Sequence, residues 1–323
     1  MEWRDRKIGV LMGGMSAERA VSLRSGRAMT AALERLGHQV VAIDVGRDLP
    51  AVLSREKIAA AVLALHGPLG EDGTVQGVLE VMGIPYTGSG VAASALCMDK
   101  SLTKRLFRDG GVPTPPGQEI LLAARGGDAR QAAARVLADP PWYVKPANSG
   151  SSVGVTRVTE RAQLPEALLK ATQTDDLPVD GVARILVEKA IDGKELTVSV
   201  IDDEPLPAIE IHPIDGFYDY TNKYTSGRTE YRIPPQGVSD QALERVRIAA
   251  VQAYRVAGCR GLARVDVMLD ASESPWVLEI NTVPGMTELS LAPKAAAAVG
   301  MGFDQLVARI LRGAALKSCG PVY

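Results

Sequence analysis

Between Lys7 and Met12 apolar residues dominate, and the run stops at Gly13-Gly14. A helical spacing then carries Val21, Leu23, Met29, Leu33 and Leu36 to a stop at Gly37, so the chain opens on a strand-turn-helix unit. Further strands are expected from Gln39 to Ile43 and from Ala59 to Leu65, where His66-Gly67 follows, and a helix near Val75 to Met82. Such alternation of strand and helix predicts a small parallel-sheet domain over the first hundred residues.

The pattern then changes. A helix from about Met98 to Arg108 gives way at Gly110-Gly111 to Val112-Pro113-Thr114-Pro115-Pro116, where proline forces extended chain. Beyond it the periodicity predicts a helix (Ala129 to Leu137), a strand (Trp142 to Lys145), a Gly/Ser turn and a second strand (Val153 to Val158), which together read as an α+β lobe. Strands are expected at Ile185 to Glu188, Thr197 to Ile201 and Ala208 to Ile211, followed by one long polar loop from Asp215 to Pro235. So long a loop inside a compact domain points to function. A helix (Asp240 to Ala257), two strands (Ala263 to Leu269, Trp276 to Ile280) and a C-terminal helix complete the chain.

Composition narrows the class. The 323 residues are 46% hydrophobic and 4% aromatic, which fits a globular enzyme of two or three domains. With 36 Lys+Arg against 38 Asp+Glu, the net charge of −2 supplies no field to recruit nucleic acid or an anionic membrane. Cys97, Cys259 and Cys319 are too few and too scattered for a disulfide framework or a zinc site, and the thiols are expected to be reduced. The charged N-terminus and the shortness of the best apolar run, Ile58 to Leu65, lead us to expect a cytoplasmic protein.

Candidate chemistry gathers at strand ends. Arg264 and Asp266 share one face of a predicted strand, and Glu279 and Asn281 share one face of the next. If the two strands pair, three oxygen donors and a cation converge, a set that suits Mg²⁺ better than zinc. Such spaced acids also occur on ordinary solvated sheet faces. Lys145 ends an apolar strand before Asn148-Ser149-Gly150-Ser151-Ser152, whose small residues allow backbone amides close to a phosphate, although no Walker A lysine follows. Glu188-Lys189 ends another strand, with Glu195 seven residues after Glu188. Glu18 and His66 lie where the first and third strands end, the edge at which open α/β sheets bind ligands. A helix-dipole contact explains Glu18 equally well, and a lone histidine is more often structural. Gly150-Ser151-Ser152-Val153-Gly154 fits a nucleophile-elbow pattern but leads into strand-like alternation rather than a helix, which argues against a serine hydrolase.

Together these residues resemble the D-alanine–D-alanine ligases of the ATP-grasp superfamily. The matching stretches run in order along nearly the whole chain: Gly13-Gly14 through Ser22, His66-Gly67 with Gly70-Glu71-Asp72-Gly73, Met98-Asp99-Lys100, Val144-Lys145-Pro146, Gly150 to Val155, Glu188-Lys189, Tyr218-Asp219-Tyr220 with Lys223-Tyr224, Arg264 to Val267, and Glu279 to Thr287. The resemblance implies an α/β protein with α+β lobes, an ATP-grasp fold preceded by a Rossmann-like parallel-sheet domain. The expected division is 1–97 for substrate, 98–184 for the central small lobe, and 185–323 for the lobe with the magnesium site and mobile loop.

The resemblance also implies roles. ATP would meet Lys100, Lys145, Ser151 and Lys223 at its phosphates, Glu188, Lys189 and Ile191 at adenine and Glu195 at ribose. Asp266, Glu279 and Asn281 would hold two Mg²⁺, for which Mn²⁺ can substitute. Glu18 and His66 would face the first D-alanine, Ser290 and the Leu291 amide would take the second substrate's carboxylate, and Arg264 with the Gly285 amide would stabilise developing negative charge. Glu18, Ser151 and Tyr224 would close a lid over the site. The implied partners are D-alanine and ATP, with no nucleic acid or membrane, and the implied assembly is a homodimer. Tyr224 favours a D-alanine acceptor over D-lactate; sister ligases making D-alanyl-D-lactate or D-alanyl-D-serine, and a non-catalytic ATP-binding scaffold, are the competing readings.

Overall fold

A computed structural model describes residues 3–124, 127–148, 150, 154–173, 181–213 and 229–317. Ser151, Lys223 and Tyr224 lie outside the described residues. The N-terminal sheet is three-stranded and parallel, in the order β2 (Gln39–Asp44), β1 (Lys7–Met12), β3 (Ala60–Leu63). Both faces of β1 are covered, which explains its nearly unbroken apolar sequence. Ile8, Val10 and Met12 pack toward Met29 and Leu33 of helix α1 (Arg19–Arg35). Leu11 faces the opposite layer, with Leu53 of α2 (Leu49–Glu56) and Leu79 of α3 (Thr74–Val81). At Gly26 of α1 a Cβ would lie 2.4 Å from the Met12 Cβ, so the missing side chain sets how closely helix and strand approach.

The helix expected from Met98 to Arg108 is two helices. Helix α4 (Val91–Met98) ends at Asp99, whose extended backbone (φ −95°, ψ 100°) breaks the run. Its carboxylate then accepts from the Leu102 amide to cap α5 (Lys100–Asp109). The Asp99 carboxylate also pairs with Arg184, which donates from Nε to Glu119 at 2.6 Å and so ties α5 to the central lobe.

That lobe is a four-stranded antiparallel sheet ordered β4 (Gly117–Ala123), β7 (Val182–Lys189), β5 (Trp142–Pro146), β6 (Thr156–Val158). Helices α6 (Ala129–Ala134) and α7 (Leu164–Ala171) share one core with it around Trp142. Two expected bounds are corrected. Helix α6 stops short of Leu137, which is 86% exposed and gains nothing from continued helix, and β6 starts only after Gly154, whose left-handed φ of 72° turns the chain. The division expected between residues 184 and 185 falls inside β7, all of whose ladder partners belong to the central sheet.

The largest sheet runs β11 (Thr229–Arg232), β10 (Ile209–Pro213), β8 (Gly193–Ile201), β12 (Leu262–Asp270), β13 (Pro275–Asn281), with β9 (Glu204–Pro205) paired to β8. Its Val198, Val200, Val265 and Val267 face α8 (Asp240–Val256). The long loop expected to reach Pro235 therefore ends earlier, because Thr229–Arg232 alternates and pairs antiparallel with β10. Helices α9 (Leu291–Ala298) and α10 (Phe303–Arg312) return to the N-terminal core, where Leu291, Leu306 and Leu311 join Ile8, Val10 and Leu33.

Candidate active site

Where the parallel sheet meets the large sheet, a cavity of about 610 Å³ opens, and Glu18, His66, Lys100, Arg264, Asp266, Glu279, Asn281, Gly285, Ser290 and Leu291 all line it. The parallel sheet supplies the first two at its C-terminal edge. Gly13 and Gly14, at φ 79° and 80°, turn the chain out of β1; Ser22 accepts from the Gly13 amide at 2.8 Å and donates to the Ala64 carbonyl at 2.7 Å, pinning α1 beside β3. Glu18 is the N-cap of α1, and the Ser16 hydroxyl donates to the His66 carbonyl at 2.7 Å, so both side chains open on one crevice. Burial pushes the His66 imidazole down in pKa, which keeps it neutral at pH 7. Its Nε2 is buried without a hydrogen-bond partner among the described residues, and so is poised for a ligand atom.

Glu71 joins them. The Gly67 amide donates to its carboxylate at 2.8 Å, and burial together with the nearby Glu18 charge pushes its pKa up to about 8. A carboxyl so strongly perturbed, lying in a crevice beside a second acidic side chain, is the kind of group that marks functional sites. Sequence reading gave Glu71 only as part of a motif; nothing in its neighbourhood signalled the shift, which comes first from burial in the folded chain and then from Glu18, more than fifty positions away.

Opposite stand β12 and β13. Their register sets Arg264 across from Asn281 and Asp266 across from Glu279, with an irregularity in the ladder just after Asp266. Arg264 grips Asp266 with two bonds, Nε to Oδ1 at 2.9 Å and Nη2 to Oδ2 at 2.8 Å. Thr197, facing Asp266 from β8, adds a hydroxyl at 2.6 Å. Lys100 reaches Glu279 at 3.1 Å, and the Asn281 side-chain oxygen accepts from the Val283 amide at 3.0 Å. Two carboxylates and one amide oxygen, with no sulfur or imidazole among them, fit a hard cation such as Mg²⁺. Among the described residues no third acidic, histidine or cysteine side chain joins them.

Away from the cavity, Lys145 on β5 and Glu188 on β7 are diagonal neighbours, since Tyr143 pairs Glu188 and Lys145 pairs Leu186. Glu188 is 2% exposed and forms an ion pair with Lys145. A second lysine, Lys104, lies 2.6 Å from its other oxygen in an ion pair that lacks hydrogen-bond alignment. Lys104 also donates to Thr114 Oγ1 at 2.8 Å. Burial opposes the Glu188 charge, but the two ammonium groups outweigh it and hold its carboxyl below the usual range. The carboxylate expected beside an adenine is therefore already committed to two cations. Lys104 stands four residues after Lys100 on α5, a spacing that puts both on one helix face but does not by itself mark a buried ion pair. Lys189 is exposed at the end of β7, Ile191 comes two positions later, and Glu195 lies on β8 across from Met268; none of the three lines the cavity.

Gly285 and Ser290 come from the turn entering α9. Ser290 is its N-cap and accepts from the Thr287 amide at 2.9 Å, while the Met286 amide donates to Ser25 of α1 at 3.1 Å. The first amides of α9 thus open toward the cavity, a setting that favours an anion. Among the described residues no helix is long and apolar enough to cross a membrane.

The chain is similar to known proteins along most of its length. Residues 106–312 match the family model described as D-ala D-ala ligase C-terminus, and residues 49–89 match that for the D-ala D-ala ligase N-terminus. A D-alanine–D-alanine ligase from Magnetococcus marinus is 55% identical over 319 residues, covering 98% of this chain and 100% of that protein. The crystal structure of the D-alanine–D-alanine ligase from Bacillus anthracis superposes with a TM-score of 0.80 at 36% identity, covering 95% of this chain and 97% of that one. The same enzyme complexed with ATP gives 0.79 at 34%, with the same coverage. A family model spanning most of the chain, a near full-length relative at this identity, and a solved structure of the same fold place the chain in the D-alanine–D-alanine ligase family.

Proposed function

We propose that this chain ligates two D-alanines at the expense of ATP, giving D-alanyl-D-alanine for peptidoglycan, ADP and phosphate. The observation that carries this reading is the cavity itself, which sets Glu18 and neutral His66 against Arg264, Asp266 and Glu279 and the amino end of α9. A carboxylate is a poor electrophile, so the first D-alanine's carboxylate attacks the γ-phosphate and ADP leaves, giving an acyl phosphate. The second D-alanine's amine then attacks the activated carbonyl, loses a proton, and phosphate departs.

Each residue has a physical task. Glu18 faces the first ammonium. Arg264, fixed in orientation by Asp266, and the Gly285 amide meet the oxyanion of the tetrahedral intermediate. Ser290 and the Leu291 amide receive the second carboxylate. Lys100 and Lys145 bind phosphates by trading the carboxylates of Glu279 and Glu188 for phosphate oxygens. Asp266, Glu279 and Asn281 would hold Mg²⁺, which when bound screens charge on the transferring phosphoryl group. Glu188, Lys189, Ile191 and Glu195 as the nucleoside contacts, and Ser151, Lys223 and Tyr224 as the closing lid, rest on family resemblance. So do the assignment of residues 1–97 to the first substrate, a homodimeric assembly and a cytoplasmic location, where ATP is available.

The test is incubation with MgATP and a panel of D- and L-amino acids, with products identified by mass spectrometry. D-Alanine alone is expected to release ADP and yield dipeptide. Equal turnover of L-alanine would refute the assignment, and a D-lactate or D-serine product would favour a sister ligase.

A further inference from the structure

Two of the three cysteines meet in space although 162 positions separate them. The Sγ atoms of Cys97 and Cys259 lie 3.9 Å apart. Cys97 is in the last turn of α4, buried, with one side on the cavity; Cys259 follows Gly258 at the end of α8, on the chain that leads into β12, and is partly exposed. Both are free thiols. The ligase mechanism uses neither.

From this juxtaposition we propose that Cys97 and Cys259 form a reversible oxidation site, in which Cys259 reacts first with a peroxide and Cys97 then closes an intramolecular disulfide. The Cys259 thiolate attacks one peroxide oxygen, the O–O bond breaks, and hydroxide leaves, giving a sulfenic acid. The Cys97 thiol gives up its proton and attacks that sulfur, the S–O bond breaks, and water leaves. Two thiols have then lost two electrons to the peroxide, and an external thiol restores them by exchange.

Exposure orders the two steps, since an oxidant in solvent meets Cys259 before buried Cys97. The charge balance agrees. A hydrogen bond from Cys97, with help from the Ser89 hydroxyl against the opposing effect of burial, pulls the Cys259 thiol down in pKa, while the same bond and burial push Cys97 up. Cys259 is therefore the better nucleophile at neutral pH.

The bond has a mechanical effect. A disulfide places its sulfurs about 2.05 Å apart. The pair must close by about 1.9 Å, the difference between 3.9 Å and that length. Cys97 stands three residues before Lys100, whose ammonium lies on Glu279, and Cys259 five residues before Arg264. Displacement of order an ångström at such groups slows catalysis, so oxidation should lower ligase turnover on the order of tenfold. The disulfide does not depend on the ligase reading; only the turnover arm does, and mass spectrometry separates their failures.

The experiment uses the full chain with Cys319→Ser, which removes the third thiol. Protein is treated with hydrogen peroxide, alkylated and digested, then mapped before and after dithiothreitol. A dithiothreitol-reversible peptide joining Cys97 to Cys259 is expected, with D-alanine-dependent ADP release falling and recovering in step. In Cys97→Ala, dimedone should trap a sulfenic acid on Cys259, whereas in Cys259→Ser, Cys97 should stay reduced. Absence of the joined peptide, or oxidation of Cys97 at an undiminished rate in Cys259→Ser, overturns the proposal. A disulfide that forms with unchanged turnover overturns its link to the active site.

Discussion

Removing Lys104 tests the buried charge triad most directly. Its side chain is 4% exposed and that of Glu188 3%, so water screens the pair little. Loss of one partner from a buried ion pair costs about 3–5 kcal/mol in general. Two features lower that figure here. Lys145 remains to neutralise Glu188, and the Thr114 hydroxyl stays satisfied by donating to the Val277 carbonyl at 2.8 Å. Both partners titrate below their usual ranges, which favours the charged form of Glu188 but disfavours that of Lys104, where burial, aided by repulsion from Lys145, outweighs the attraction of Glu188. The carboxylate collects two attractions and Lys104 only that of Glu188, so the Lys104 contribution is the smaller. We expect Lys104→Met to lose about 2 kcal/mol.

Urea unfolding followed by tryptophan fluorescence measures this, and pH separates charge from packing. A depressed carboxyl adds stability above its unfolded pKa and loses it as pH falls through the folded one. The gap between wild type and variant should therefore narrow in acid. Nucleotide binding should weaken about tenfold, or about 1.4 kcal/mol, because Lys145 can no longer leave Glu188 without stranding a buried charge. A variant as stable as wild type at pH 7, or a gap unchanged in acid, would refute the electrostatic account.

Three further outcomes are expected. Glu279→Gln should reduce turnover far more than nucleotide affinity at constant magnesium, because its charge matters most as the phosphoryl group moves; parallel kinetics and equilibrium binding check this. Glu71→Gln should alter the pH dependence of stability. With a folded pKa of about 8 against 4.5, wild-type Glu71 contributes fully below pH 4.5 and loses that contribution as pH rises toward 8, so the glutamine variant should gain on wild type across this window. The full shift corresponds to roughly 5 kcal/mol, and partial exposure to the cavity should reduce it to about 2 kcal/mol, measurable by urea titrations at pH 5 and 9. Gly26→Ala should cost about 1–3 kcal/mol by driving a Cβ to 2.4 Å from Met12, seen as a lower melting temperature.

Much of the fold was legible because its signals are local. Alternation along Arg264-Val265-Asp266 and Glu279-Ile280-Asn281 put the polar members on shared faces, and the ladder register then set them opposite each other. The helix break at Asp99 was not legible, because Met98 and the residues after Lys100 continue a helical pattern and only the cap geometry interrupts it. Lys104 reads as an ordinary surface lysine until β7 delivers Glu188 to it from 84 positions away. Tyr231 lines the cavity although its segment looked like loop, since a four-residue strand carries too few alternations to stand out from polar surroundings.

The return of α9 and α10 to the first core matters for how the chain is made. Leu306 and Leu311 cover Ile8 and Leu33 in one buried cluster, so the opening strand-helix units emerge from the ribosome nearly three hundred residues before the side chains that cover part of them. Contacts of such separation close late and slowly. During synthesis the nascent parallel sheet must carry an uncovered apolar flank until translation is almost finished, which makes it a natural client for a chaperone that holds hydrophobic surface.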